Sequence, residues 1–490
     1  MRADTRSRRP ERSAGQGSLR AGRQGAPIAP ARACAHSVLL RCCEQGAYAD
    51  RAFHSAAERL GARDRALAMR LAYGALQRLI TLDHLLAALC TRDLDRLDPG
   101  VRAALRLGLY ELLYLEGAPA RAITNDAVTL AAASVHGVRG RRAAAAGFVN
   151  AVLRRAAGEG RALLERLDDQ SAAGAALAHS VPSWLARMWF SLLGDERARA
   201  LLAACNEPAE VALRVNTLRA QRPEAIAALG AKVRSGPWPA EALVLQEPCD
   251  LQRSAAFSAG LVVAQSRAAM LAADLLDLAP GQRVLDLCAA PGGKATHIAA
   301  RLGGRGEVVA LEQNSARAAA LSATVARLGA GAVAVRCCDA LAGVHDAEGF
   351  DRVLVDPPCS GLGTLQRHPD LLLRAGPRRI QELSALQRAL LLAGVKALRP
   401  GGVLLYATCT ISPGENEAVV AGALAERADL ELLDLGVPGY EQLRAARADE
   451  HPERAGVVGA IAQRALLTLP SRDRTAGFFY AALRRRERGG

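Results

Sequence analysis

Of the eleven cysteines in this chain, two follow short apolar runs and sit in strings suited to holding them still. Asp356-Pro357-Pro358-Cys359-Ser360-Gly361 comes directly after Val353–Val355. Its paired prolines make a rigid, non-helical turn that fixes Asp356 and Cys359 over a strand end. Tyr406-Ala407-Thr408-Cys409-Thr410 ends a second run and leads into Pro413-Gly414-Glu415-Asn416-Glu417. Two thiols at neighbouring strand ends can converge on one substrate atom; a disulfide between them is the competing reading. A thiolate is a nucleophile and a nearby carboxylate can hold or move a proton, so the chemistry on offer is covalent catalysis with acid–base assistance.

A third string, Asp286-Leu287-Cys288-Ala289-Ala290-Pro291-Gly292-Gly293-Lys294, stands between an apolar run and a helical segment. Its small residues let backbone approach a ligand, and a helix start offers free N–H groups. A P-loop needs glycine where Cys288 stands and Ser or Thr where Ala295 stands, so ATP is disfavoured, and a dinucleotide fingerprint is absent. Glu312 follows the next apolar run, where an acid can accept hydrogen bonds from both hydroxyls of a ribose. Asp339 follows the third run and could bind the amino group of an adenine.

The elements that must carry these residues are legible as alternating patterns from about residue 256 onward. Val284–Leu287, Val308–Leu311, Ala332–Val335, Val353–Val355 and Val403–Tyr406 read as buried strands of a mostly parallel sheet. Helical segments fall near 294–302, 315–328 and 379–398, and Pro400-Gly401-Gly402 predicts a turn into the last strand. Repeated βα units imply a doubly wound sheet with ligands at the carboxyl ends of its strands, and every string above falls at such an end. Upstream, Leu67, Leu71, Ala75 and Leu79, then Leu105, Leu109 and Leu112, recur at helical spacing and predict an all-helical region of five to seven helices. Between the two, prolines break residues 170–255 into short pieces with one strand at Ala212–Val215. The reading is therefore multidomain: a basic arm over 1–30, a helical domain over 31–165, a small α/β connector over 170–255 and an α/β Rossmann-like domain over 256–485.

The formal net charge is +14 and Lys232, Lys294 and Lys396 are the only lysines, so the charge is almost all arginine. That favours a polyanionic partner, since a guanidinium grips two phosphate oxygens at once. Residues 1–30 carry seven Arg against Asp4 and Glu11, so +5 of the +14 lies in the arm, which loosely resembles an organelle transit peptide but reads better as a solvated tail. No cysteine pair has C-x-x-C spacing and the count is odd. A metal site and a disulfide framework are not expected, and a reducing, cytoplasmic location is. No apolar run has the length of a membrane helix.

At these strings the sequence resembles the RNA cytosine-5 methyltransferases of the Sun/NOL/NOP family. Asp286–Lys294 is similar to that family's cofactor motif, and Asp356–Gly361 and Thr408-Cys409 to its two cysteine motifs. Gly363-Thr364-Leu365-Gln366-Arg367-His368-Pro369-Asp370 matches the segment after the first of these. Asn125-Asp126-Ala127-Val128 and Phe148–Arg154 resemble the RNA-binding domain of the antitermination factor NusB, and Arg214-Val215-Asn216 a connector signature. The resemblance implies a class I methyltransferase domain, S-adenosylmethionine as cofactor, and RNA, specifically 16S rRNA or a small-subunit assembly intermediate, as partner. It implies Cys409 as nucleophile, Cys359 as the group that assists release, and Asp356 facing both cofactor and base. Cys288, Ala289, Ala290, Pro291, Gly292, Gly293 and Lys294 would wrap the methionine part, Glu312 the ribose and Asp339 the adenine. The chain departs from the pattern at Glu312, Ser266 and Ala476, where the family has Asp, and at Met270, where it has Gln. Rival readings are a DNA cytosine-5 methyltransferase with Cys359 as nucleophile, a non-catalytic RNA-binding adaptor, and an amino-group methyltransferase. The last would want an aromatic residue where Cys359 stands.

Overall fold

The structure, a computed structural model, describes residues 28–135, 139–236, 238–247, 249–342, 349–435 and 457–487. Most of the predicted basic arm therefore lies outside the described residues, and Pro30 already opens the first helix. Seven α-helices follow through Glu165: α1 (Pro30–Gln45), α2 (Ala49–Ala56), α3 (Ala62–Gln77), α4 (Leu79–Leu89), α5 (Pro99–Tyr114), α6 (Ala120–Ser134) and α7 (Arg139–Glu165). They enclose one apolar core in which Leu71, Leu105, Leu109 and Leu153 are fully buried. Two arginines that interrupt the α5 pattern pair with acids of neighbouring helices: Arg106 makes a two-pronged bond to Asp83 at 2.7 Å on each arm, and Arg102 reaches the exposed Glu44 at 2.8 Å.

Next comes a four-stranded antiparallel sheet of order β2-β3-β1-β4, from β1 (Ala212–Val215), β2 (Val233–Ser235), β3 (Ala242–Leu245) and β4 (Val262–Ala264). Only β1 was expected. The other three are three or four residues long, and exposure of Arg234 and Ser235 in β2 leaves no two-residue apolar alternation to read.

The largest layer is a second sheet of order β10-β12-β9-β8-β5-β6-β7. Its parallel part is β5 (Arg283–Asp286), β6 (Glu307–Leu311), β7 (Val333–Arg336), β8 (Phe350–Val355) and β9 (Leu398–Thr408). β10 (Leu430–Leu433) and β11 (Leu466–Leu467) pair antiparallel with β12 (Phe479–Arg485), which pairs antiparallel with β9. Both faces are buried. Leu285, Val309, Val353 and Leu404 point into one core, while their neighbours Val284, Val308, Leu354 and Leu405 point into the other. That is why these strands read as unbroken apolar runs. The predicted turn at Pro400-Gly401-Gly402 lies inside β9, where Gly401 has φ +78° and the β8–β9 register shifts. The chain winds outward through β6 and β7 and then returns to place β8 on the other side of β5. The winding direction thus reverses between β5 and β8, where such sheets bind ligands.

Candidate active site

Asp286 ends β5, and the backbone then turns tightly: Ala289 N–H donates to Leu311 O at 2.9 Å and Gly292 N–H to Ala289 O at 2.8 Å. Gly292 has φ +104°, and a Cβ there would stand 2.7 Å from Leu321, so the turn needs glycine twice over. The helix Gly293–Arg301 starts immediately, with its first N–H groups at the end of the turn. The connector fastens this helix from behind. Arg214, fully buried in β1, donates from Nε to Gln265 Oε1 at 2.8 Å and from Nη2 to Thr296 Oγ1 at 3.1 Å. Burial pulls its pKa down to about 10. Asn216 ties β1 to the carbonyls of Gly260 and Leu328, each at 2.8 Å.

The five strand ends open into one cavity of about 840 Å³. Cys288, Ala290, Glu312, Asp339, Asp356, Cys359 and Cys409 all line it. Of the remaining predicted residues, Lys294 reaches the wall group Asp356, its Nζ 2.5 Å from Oδ2, and its ammonium lies 5.2 Å from the ring centroid of Phe478. Ala289, Pro291, Gly292 and Gly293 form the turn beneath. Glu312 is nearly buried, accepting from Asn314 N–H at 2.9 Å and pairing with Arg317 at 3.1 Å. Asp339 stands at the exposed rim and accepts from Leu341 N–H.

The two predicted thiols meet: Cys359 Sγ and Cys409 Sγ are 3.2 Å apart, and all eleven cysteines are free. Their loops are locked by a residue not singled out from sequence. Glu415, fully buried, accepts from Ser360 N–H at 2.8 Å and from Gln387 Nε2 at 3.0 Å, with Ser360 Oγ on its other oxygen. Asn416 accepts from Thr408 Oγ1 at 2.6 Å and donates to Thr410 O at 3.0 Å. Gly363 donates to Cys409 O at 3.0 Å and presses on Gly477, where any Cβ would meet backbone at 2.0 Å. The Pro-Gly-Glu-Asn-Glu string after Cys409 was the available signal for this lock.

Electrostatics divide the groups. The hydrogen bond with Cys409, burial and the charges of Cys409, Glu415 and Asp356 together hold the Cys359 thiol protonated, well above the usual thiol range. Burial alone would lower the Lys294 ammonium, but Asp356 and the Cys409 sulfur outweigh it and keep it charged. Burial, then the charge of Asp356, push Asp286 up to about 7, and its Oδ2 has no hydrogen-bond partner.

Two of the four departures have local explanations. Ser266 caps the helix Arg267–Leu275 by accepting from Ala269 N–H at 3.2 Å, as an aspartate there would. Met270 fills a small apolar cluster with Ala212, Ala242 and Val244. Elsewhere, Glu241, Asp274 and His297 bring possible metal-ligand atoms within 4.8 Å of one another. Arg301 pairs with both carboxylates, at 3.0 Å to Glu241 and 3.4 Å to Asp274.

Comparison with known proteins places this geometry. The family described as 16S rRNA methyltransferase RsmB/F matches residues 273–484, the NusB family residues 29–158, and the RsmF/B-like ferredoxin-like domain residues 181–252. The "Probable ribosomal RNA small subunit methyltransferase B" of Synechocystis is 32% identical over 466 residues, covering 93% of this chain and 99% of that protein. The chain belongs to the RsmB/F family of 16S rRNA methyltransferases. The "Ribosomal RNA small subunit methyltransferase B" of Pseudomonas putida is 36% identical, covering 77% of this chain and 85% of its own. The crystal structure of PH0851 superposes with a TM-score of 0.74 at 25% identity, covering 94% of this chain and 100% of that one. The family uses S-adenosylmethionine, and the cavity fits it: a glycine turn at a helix start, a nearly buried Glu312 on the wall and Asp339 at the rim. Among the described residues no helix is long and apolar enough to cross a membrane.

Proposed function

We propose that the protein methylates carbon 5 of a cytosine in 16S rRNA, with Cys409 forming a transient bond to carbon 6 of the ring. The observation that carries this reading is the 3.2 Å approach of Cys359 and Cys409 in the cavity reached by the glycine turn and Asp356. The relatives' names support rRNA as substrate. Free thiols throughout support a reducing, cytoplasmic setting.

Bound S-adenosylmethionine supplies an electrophilic methyl group on a positively charged sulfur. In this reading Cys288 to Lys294 wrap its methionine part, Glu312 holds the ribose and Asp339 the adenine. Carbon 5 of cytosine is a poor nucleophile until a thiolate adds to carbon 6 and pushes the electron pair onto carbon 5. In this reading the Lys294 ammonium, paired with Asp356, favours a negative sulfur on Cys409, and Asp356 holds the ring's nitrogen edge as charge develops. After carbon 5 takes the methyl group, its remaining proton must leave as the S–C6 bond breaks. Cys359, held as a thiol, hands its proton to the departing Cys409 sulfur and receives the carbon 5 proton, directly or through a water. Cys359 is unchanged, Cys409 ends protonated, and that proton passes to solvent before the next cycle.

The division at 31–165, 170–255 and 256–485 belongs to the same proposal. Separate cores around Leu105 and around Leu213 support it, while the helices Ser183–Leu193 and Asp195–Ala204 pack into the core of the large sheet.

RNA carrying 5-fluorocytosine tests the chemistry, because fluorine blocks release and traps the adduct. Cys359→Ala is expected to accumulate adduct. Cys409→Ala is expected to form none and to lose methyl transfer by about 10³-fold or more. Adduct formation by Cys409→Ala but not by Cys359→Ala would reverse the roles and favour the DNA-enzyme arrangement. RNA binding with no methyl transfer by the unaltered protein would leave only an adaptor.

A further inference from the structure

We infer that Tyr48 of the helical domain is a stacking platform for the nucleotide beside the target base, so that the NusB-like domain supplies part of the substrate site. This rests on the reading of the cavity as the site of base methylation. The cavity wall does not end at the large sheet: Tyr48, Asp50 and Arg51 line it too, opposite Arg367 and His368 of the segment after Cys359. Tyr48 caps α2 and is 51% exposed, the one aromatic among the exposed large apolar side chains of the described residues.

The ring is held in place. The Arg374 guanidinium lies 4.1 Å from its centroid and that of Arg51 at 5.7 Å. Arg374 is itself fixed, donating to Ala47 O at 2.7 Å and to Asp370 Oδ2 at 3.0 Å, while Asp370 also accepts from Ala49 N–H at 3.2 Å. His368 Nδ1 also comes within 3.5 Å of Asp50 Oδ2. A rigid aromatic surface with cations around it, at the mouth of a cavity that must admit one unstacked base, has the chemistry of a single-stranded RNA contact. A base drawn out of its stack leaves its neighbour without a partner, and Tyr48 replaces that partner. Arg51, over the ring and exposed, can also meet the adjoining phosphate.

Equilibrium binding of a short labelled single-stranded RNA with a central cytosine to the full-length protein tests this. Tyr48→Ala is expected to weaken binding about 5- to 100-fold, Tyr48→Leu similarly, and Tyr48→Phe by less than about 3-fold, with S-adenosylmethionine affinity unchanged in all three. Wild-type affinity in Tyr48→Ala would overturn the proposal. So would an equal loss in Tyr48→Phe, a parallel loss of cofactor binding, or unaltered protein that binds duplex but not single-stranded RNA. The measurement involves no methyl transfer, so its failure leaves the Cys409 assignment standing. Trapping by Cys409→Ala beside an intact Tyr48 effect would sink the chemistry alone.

Discussion

Asp286 illustrates how burial, not sequence, sets the state of a side chain. It sits in a recognisable string, yet only the fold reveals that it is desolvated beside Asp356 and pushed up to about 7. A carboxyl raised from its unfolded value of about 4 prefers the folded state when protonated, so it stabilises the protein at low pH and loses that contribution as pH rises through 7. Asp286→Asn cannot titrate. Its stability relative to wild type, from urea unfolding, should therefore grow between pH 4 and 7 by up to about 4 kcal/mol and level off above. A difference independent of pH would mean that Asp286 is charged in the folded protein. The reactive residues were legible because each is part of a contiguous string at a strand end. Glu415 and Tyr48 were not. Glu415 matters through bonds to residues 28 and 55 positions away, and Tyr48 faces the site only because Ala49 docks against Asp370, 321 positions on.

At the scale of elements, the parallel strands were readable because burial on both faces demands continuous apolar runs. The connector sheet was not, since its strands are short and partly exposed. Its purpose appears in β1, where Arg214 fastens the helix that follows the glycine turn. Arg214→Leu keeps bulk but leaves Gln265 and Thr296 without their buried donor. It should cost about 2–3 kcal/mol in urea unfolding and weaken cofactor binding, read by calorimetry, while leaving the sulfur pair of Cys359 and Cys409 in place. Retention of full stability would show that the connector is not what holds the turn.

Across the whole molecule the 63 basic residues overstate what RNA can meet, since many are paired with acids that the net charge of +14 already counts. Arg32 is spent on Glu111 and Asp126, Arg102 on Glu44, Arg106 on Asp83, and Arg267 on Glu210. The composition pointed correctly to a polyanion, but it could not separate arginines that build the fold from those left on its surface. RNA contact therefore depends on individual exposed arginines, and Arg51→Ala should make the log–log salt slope for binding of a long single-stranded RNA shallower by about 0.7. An unchanged slope would mean that Arg51 meets no phosphate.

The insertion of β12 between β9 and β10 has a consequence for how the protein comes into being. β12 follows every other strand of its sheet along the chain, yet it covers the flank of β9, the strand that delivers Cys409. Until β12 is in place, β9 exposes an unpaired edge and the pocket lacks Phe478 on its wall, so a chain without that strand is prone to sticking to its own kind. The edge beside Cys409 is thus the last part of the sheet to close.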